Sequence, residues 1–156
     1  MTVNELITQI NIDTNEILDD SSEYIPYINA SIDILTSLLI PMHDTEVVKE
    51  KTIRDNDVVP TEFMTFVPGS GYPVEIYNGV FKTYDGQDVE HVYYAVRKAH
   101  IASMDDAVPF ADYYVFPLIQ IVSYLVKKKS LMIDFANADS AFVQQITQII
   151  KDAKAR

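Results

Sequence analysis

The feature that most limits what this chain can become is the run YYVFPLIQIVSYLV at residues 113–126, closed by Lys127, Lys128 and Lys129. Apart from Pro117 its only breaks are Gln120 and Ser123. A helix of this composition is apolar nearly all round, so it has to be packed on several sides at once. Crossing a bilayer takes about 20 apolar residues, and this run is shorter. It therefore reads as the central helix of a small soluble domain. Pro117 has no backbone donor and belongs in the first turn or at a kink. The lysines suit the far end, where cations meet the negative pole of the helix dipole.

At 156 residues the chain is long enough to bury a core, and its length predicts one domain. It has no cysteine, which excludes disulfides and thiolate metal sites. The opening MTVNELITQI lacks a basic residue and a signal-like apolar core, which argues against export. A hydrophobic fraction of 48% and a mean hydropathy of +0.02 indicate a folded protein.

A net charge of −11 argues against a general nucleic-acid binder, which needs a basic surface. The charge is also uneven along the chain. Residues 1–48 hold nine acids and no Lys or Arg, residues 49–126 six bases and eleven acids, and residues 127–156 six bases and three acids. Two ordinarily solvated faces would account for this. So would a basic tail set against the acidic front of another copy, or against an acidic partner.

Thr2-x-x-Glu5 is a capping-box pattern opening a helix with Val3, Leu6, Ile7 and Ile10 on one face. Whether that helix continues to Leu18 is open, because the Asn, Asp and Thr of residues 11–15 compete for backbone bonds. A second helix grows from Asp19-Asp20-Ser21-Ser22 with Ile25, Ile28, Ile32, Leu35 and Leu39 at spacings of three and four, and Pro41 closes it. Its stripe suits packing on the central helix. Val74–Tyr77 and Val80-Phe81-Lys82-Thr83 flank Asn78-Gly79, the strongest short-range hairpin signal. Val89-Glu90-His91-Val92-Tyr93 loosely alternates as a further strand. Residues 130–137 are ambiguous, and a last helix starts at Asp139 or Ser140 with Phe142, Ile146, Ile149 and Ala153 on one stripe.

The expected fold class is mainly α: a helical bundle with an inserted small antiparallel β-sheet or hairpin. The expected plan is one domain over residues 1–156, with helices in 1–42, a β insert in 46–100 and helices in 110–156.

Motifs for chemistry are weak. His43, His91 and His100 show no metal-ligand spacing. Asp55-Asn56-Asp57 starts like a calcium loop, but Pro60 stands where the loop needs Gly. Pro68-Gly69-Ser70-Gly71 lacks the Lys-Ser/Thr that follows in a phosphate loop. Asp105-Asp106 reads as a solvated pair, and no Ser has a nucleophile setting. The expectation is therefore of no enzyme, with no catalytic residue, cofactor or metal. Tyr72, Tyr77, Tyr84, Tyr93 and Tyr94 gather in the β insert, where tyrosine serves strand packing and protein interfaces alike.

The order of parts carries a resemblance. Glu5-Leu6-Ile7 leads to a helix with Tyr24-Ile25-Pro26-Tyr27-Ile28-Asn29-Ala30, then Val59-Pro60-Thr61-Glu62-Phe63 and the strand Val89-Glu90-His91-Val92-Tyr93-Tyr94. Val108-Pro109 precedes a long helix and a closing helix. Over nearly its whole length the chain resembles the head–tail connector adaptor proteins of tailed bacteriophages. That family sets an LP-x-x-F-like step and a v-x-Y-Y strand between an ELL-x-x-x-N helix pair and a C-terminal helix pair.

The resemblance implies a structural virion protein, assembled in the host cytoplasm and placed in the neck between capsid and tail. Such adaptors form a homo-oligomeric ring, commonly of twelve copies, beneath the portal protein. The ring extends the channel through which DNA passes, and involves no membrane. In the family the C-terminal helix docks on the portal and the inserted loops face the next tail or nozzle protein. Carried over, portal docking falls to Phe142, Val143, Ile146, Ile149 and Ile150 with the basic Lys151, Lys154 and Arg156. The tip Tyr77-Asn78-Gly79 faces the tail or a neighbouring copy. The alternative is a non-viral interaction domain that recognises a peptide or protein through its Tyr-rich β insert.

Overall fold

The computed structural model describes every residue except Glu16, Asp19, Asn137 and Arg156. The chain divides into two compact units, Met1–Leu38 with Ala99–Arg156, and Leu39–Lys98.

The first unit is helical. Helix α1 (Val3–Thr14) opens with the capping box: the Glu5 amide donates to Thr2 Oγ1 at 3.3 Å, and the Thr2 amide donates to Glu5 Oε2 at 2.9 Å. Val3, Leu6, Ile7 and Ile10 are buried on one face. The helix stops at Asn15, which takes a left-handed conformation, and so does not reach Leu18. Asp20 caps a short 3-10 turn at Ser21–Glu23 by accepting from the Ser22 amide at 2.9 Å. Helix α2 (Tyr24–Leu39) follows, burying Ile28, Ile32, Leu35 and Leu39, with Ile25 half-buried.

Helix α3 (Val115–Lys128) is the central run of the sequence. Pro117 lies in its first turn, where a missing donor costs nothing. Val115, Leu118, Ile121, Val122, Leu125 and Val126 are all buried. Lys127 and Lys128 occupy the last turn, and Lys129 ends the helix in a left-handed conformation. The helix whose backbone comes closest to α3 is α1. The cause is at the N-terminus: Val3 and Asn4 donate to Asp106 and Met104 carbonyls, which pins α1 beside the approach to α3. Asn29 instead ties α2 to the loop before α3, exchanging two hydrogen bonds with the Ile101 backbone at 3.0 and 2.8 Å. Helix α4 (Ser140–Lys154) completes the unit.

The second unit is all β. Strands β1 (Val48–Ile53), β5 (Val89–Val96) and β2 (Phe63–Phe66) form an antiparallel sheet in the order β1-β5-β2. Strands β3 (Val74–Tyr77) and β4 (Val80–Thr83) form a hairpin in which Tyr77 pairs with Val80. Its turn residues Asn78 and Gly79 both have positive φ (50° and 76°), the geometry that Asn-Gly tolerates and most pairs do not. Ile53, Phe81 and Val92 make a core of their own, packed by Val59, Phe63, Phe66, Tyr72, Val74 and Val89.

The expected fold class is corrected here. The chain is 43% helix and 19% strand with two small antiparallel sheets, a mixed α and β protein rather than a mainly α bundle. The β-branched and aromatic residues of the middle third bury one another, so the strands form a cored unit and not an appendage of a bundle.

Candidate interaction surface

The α4 helix packs on α3 and on the 3-10 turn Asp112–Tyr114. Ile146 and Ile150 are fully buried, and the ring of Phe142 stacks on Tyr124 at 3.7 Å between centroids and 7° between planes. Phe142, Val143 and Ile149 are half-buried, while Lys151 and Lys154 are exposed. Arg156 lies outside the described residues. The expected docking residues that are described therefore fall into two sets: Ile146 and Ile150 are buried within the chain's own helical unit, and the others keep some access to solvent.

Asp139, only 3% exposed, holds the start of α4 in place. Its carboxylate accepts from Lys128 Nζ at 2.5 Å, from the Tyr124 hydroxyl, and from the Asp134 amide at 2.7 Å. These donors, the Lys128 ammonium first, hold the carboxyl down at about 2. Reciprocally, the bond to Asp139 pushes both the Tyr124 phenol and the Lys128 ammonium above their ordinary values. Asp139 was legible as a helix start. Its hub role was not, because Tyr124 and Lys128 are fifteen and eleven positions away in sequence and meet Asp139 only in the folded chain.

The start of α4 lies at the end of α3, and its later residues approach the 3-10 turn Asp112–Tyr114. The two helices are thus antiparallel. Lys127–Lys129 and Lys151–Lys154 sit at opposite ends of the pair, so the basic tail of the sequence is not one basic patch in space.

At the hairpin tip Tyr77 is exposed, as is Ile76 beside it, and Tyr84 is exposed at the hairpin's opposite end. The tyrosines divide between the two uses expected of them. Tyr72 donates to the Val67 carbonyl and accepts from the Tyr93 amide, and Tyr94 stacks on Phe63, so these pack the sheet. Tyr77 and Tyr84 project to solvent.

The three histidines lie apart. His43 meets the Tyr93 ring edge-on, His91 contacts Glu50 at 2.5 Å, and His100 contacts Asp33 at 2.9 Å. The Glu50 hydrogen bond raises His91 above the ordinary imidazole value. The acidic motifs are used by the backbone: Asp55 and Asp57 accept from the Thr83 and Arg54 amides, and Asp106 accepts from the Ala102 and Ser103 amides. Among the described residues no group of three His, Cys, Asp or Glu side chains is placed to hold a metal ion, and no helix is long and apolar enough to cross a membrane. No protein-family model matches the chain, and a search of curated proteins finds no match.

Proposed function

We propose that this protein is a structural adaptor of a tailed-phage virion, joining portal to tail as a ring of identical copies around the DNA channel. The observation that carries this reading is the apolar stripe of α4, the last helix, on which Phe142, Val143 and Ile149 keep access to solvent beside buried Ile146 and Ile150. A free helix of this length is marginal in water, so α4 depends on the surface its apolar face packs against, and a groove on another protein can extend that surface by helix-in-groove docking. In that docked state Phe142, Val143 and Ile149 become contacts, with Lys151 and Lys154 at the rim. The order of sequence parts supports the same reading, as does the net charge of −11, which suits a channel that lets DNA slide.

A second reading, a peptide-recognising domain, is favoured by exposed Ile76 and Tyr77 on β3, a strand that pairs only with β4 in its sheet.

Mass photometry of the chain with the portal protein encoded by the same genome separates the two. The adaptor reading predicts that portal rings gain mass in whole copies and that deleting residues 140–156 abolishes the gain. Portal rings of unchanged mass, with the chain instead taking up an extended peptide at β3, would sink it.

A further inference from the structure

The β unit contains a cleft of about 560 Å³ at the open end of the β3–β4 hairpin, opposite the Asn78-Gly79 tip. That volume falls in the range of clefts that hold small molecules. Its walls are residues 69–75 and 82–85 with Phe66, all within the same compact unit. The two loops that frame it are tied together by the Tyr84 amide, which donates to the Pro73 carbonyl at 3.2 Å.

The chemistry of the walls favours one sign of charge. The rings of Phe66 and Tyr72 meet at 5.7 Å between centroids and 52° between planes, which makes an aromatic corner. Tyr72 is held there by its hydroxyl, which donates to the Val67 carbonyl at 2.9 Å and accepts from the Tyr93 amide at 3.2 Å. Tyr84 adds a third ring, 75% exposed and so free to cover a ligand. Glu75 and Asp85 bring two carboxylates, and among the described residues neither meets a cation. Lys82, the base among the lining residues, gives its ammonium to Asn56 Oδ1, and Asn56 is not part of the wall. Aromatic rings attract a cation, and a carboxylate accepts short, charge-assisted hydrogen bonds from an ammonium. An anion would meet two like charges.

We propose that this cleft binds a small aliphatic ammonium ion, with its alkyl part against Phe66, Tyr72 and Tyr84 and its nitrogen at Glu75 and Asp85. Two sources share that chemistry, a free diamine and the lysine side chain of another protein. The site needs neither a ring nor a portal, so it stands or falls separately from the adaptor function.

The test is a titration of the full chain in about 0.15 M salt, where charges are screened beyond about 8 Å, followed by nitrogen-edited proton NMR. The probes are cadaverine, the uncharged pentanediol of the same length, and Nα-acetyl-lysine methylamide. Cadaverine should shift the amides of residues 69–75 and 82–86 to saturation and bind about tenfold or more tighter than pentanediol. Glu75→Gln with Asp85→Asn should weaken cadaverine by a similar factor. Both changes keep the side-chain shape, and Asn tolerates the left-handed backbone at position 85, where φ is 56°. Tyr84→Ala, which removes an exposed ring, should weaken it about threefold. A lysine derivative that binds as tightly as cadaverine assigns the site to a protein side chain, and a much weaker one assigns it to a free diamine; either supports the ammonium site. Absence of a saturable shift with both amines overturns the proposal, as does equal binding of pentanediol. Shifts spread over the surface and unchanged in the variants also overturn it, since they report only the attraction of amines to a chain of net charge −11.

Discussion

Asp139 shows how one side chain can decide the state of a whole helix. Its folded-state value of about 2 lies below the ordinary 3.8, so ionisation favours the folded arrangement. That contribution is present in full above the ordinary value and is lost as pH falls from about 4 through about 2. The expected outcome is that the Tyr124–Phe142 near-ultraviolet circular dichroism signal holds from neutral pH to about 4 and declines below it. In Asp139→Asn the signal should be reduced already at neutral pH, since Lys128 and Tyr124 then lose their shared acceptor. A signal flat from pH 7 to 2 would contradict this role. Ser123 makes the opposite case. It is 2% exposed in the middle of α3, and among the described residues its Oγ finds no hydrogen-bond partner. A buried hydroxyl without a partner is a net cost, and alanine is the better helix former. Ser123→Ala should raise stability by about 1 kcal/mol in urea unfolding. The sequence showed Ser123 as a polar break in an apolar run, but only the packing shows that nothing answers it.

At the scale of elements, legibility followed periodicity. The stripes of α1 and α2, the apolar run of α3 and the Asn-Gly hairpin all came from spacing that one element satisfies by itself. Strand β2 was missed as a strand because Phe63-Met64-Thr65-Phe66 does not alternate, and its pairing with β5 depends on a bulge between Phe63 and Thr65. The close approach of α1 to α3 was not legible, since a stripe says that a helix packs but not on what. The hairpin offers a direct check. Gly79 has φ of +76°, with open space where a Cβ would stand, so the cost of a side chain is purely conformational. Gly79→Val should destabilise the protein by about 1–2 kcal/mol in urea unfolding, a loss absent in Gly69→Ala, where φ is ordinary.

For the molecule as a whole, composition along the chain proved a poor guide to composition in space. The middle third interrupts the helical unit in sequence, and it is a β unit with its own core. The bases that are consecutive in the tail of the sequence are divided between two ends of the α3–α4 pair. What does hold across scales is that α4 is a formed helix whose contacts with the rest of its unit include two buried isoleucines, an aromatic stack and a carboxylate hub at its start. The proposed function rests on that helix docking on another protein. Hydrogen–deuterium exchange of the full chain, alone and with the portal ring, tests this most directly. The account predicts that residues 140–154 exchange at least about tenfold faster than α3 in the free protein, through local opening, and become protected on the portal. Equal protection of α4 and α3 in the free protein, unchanged by the portal, would contradict it.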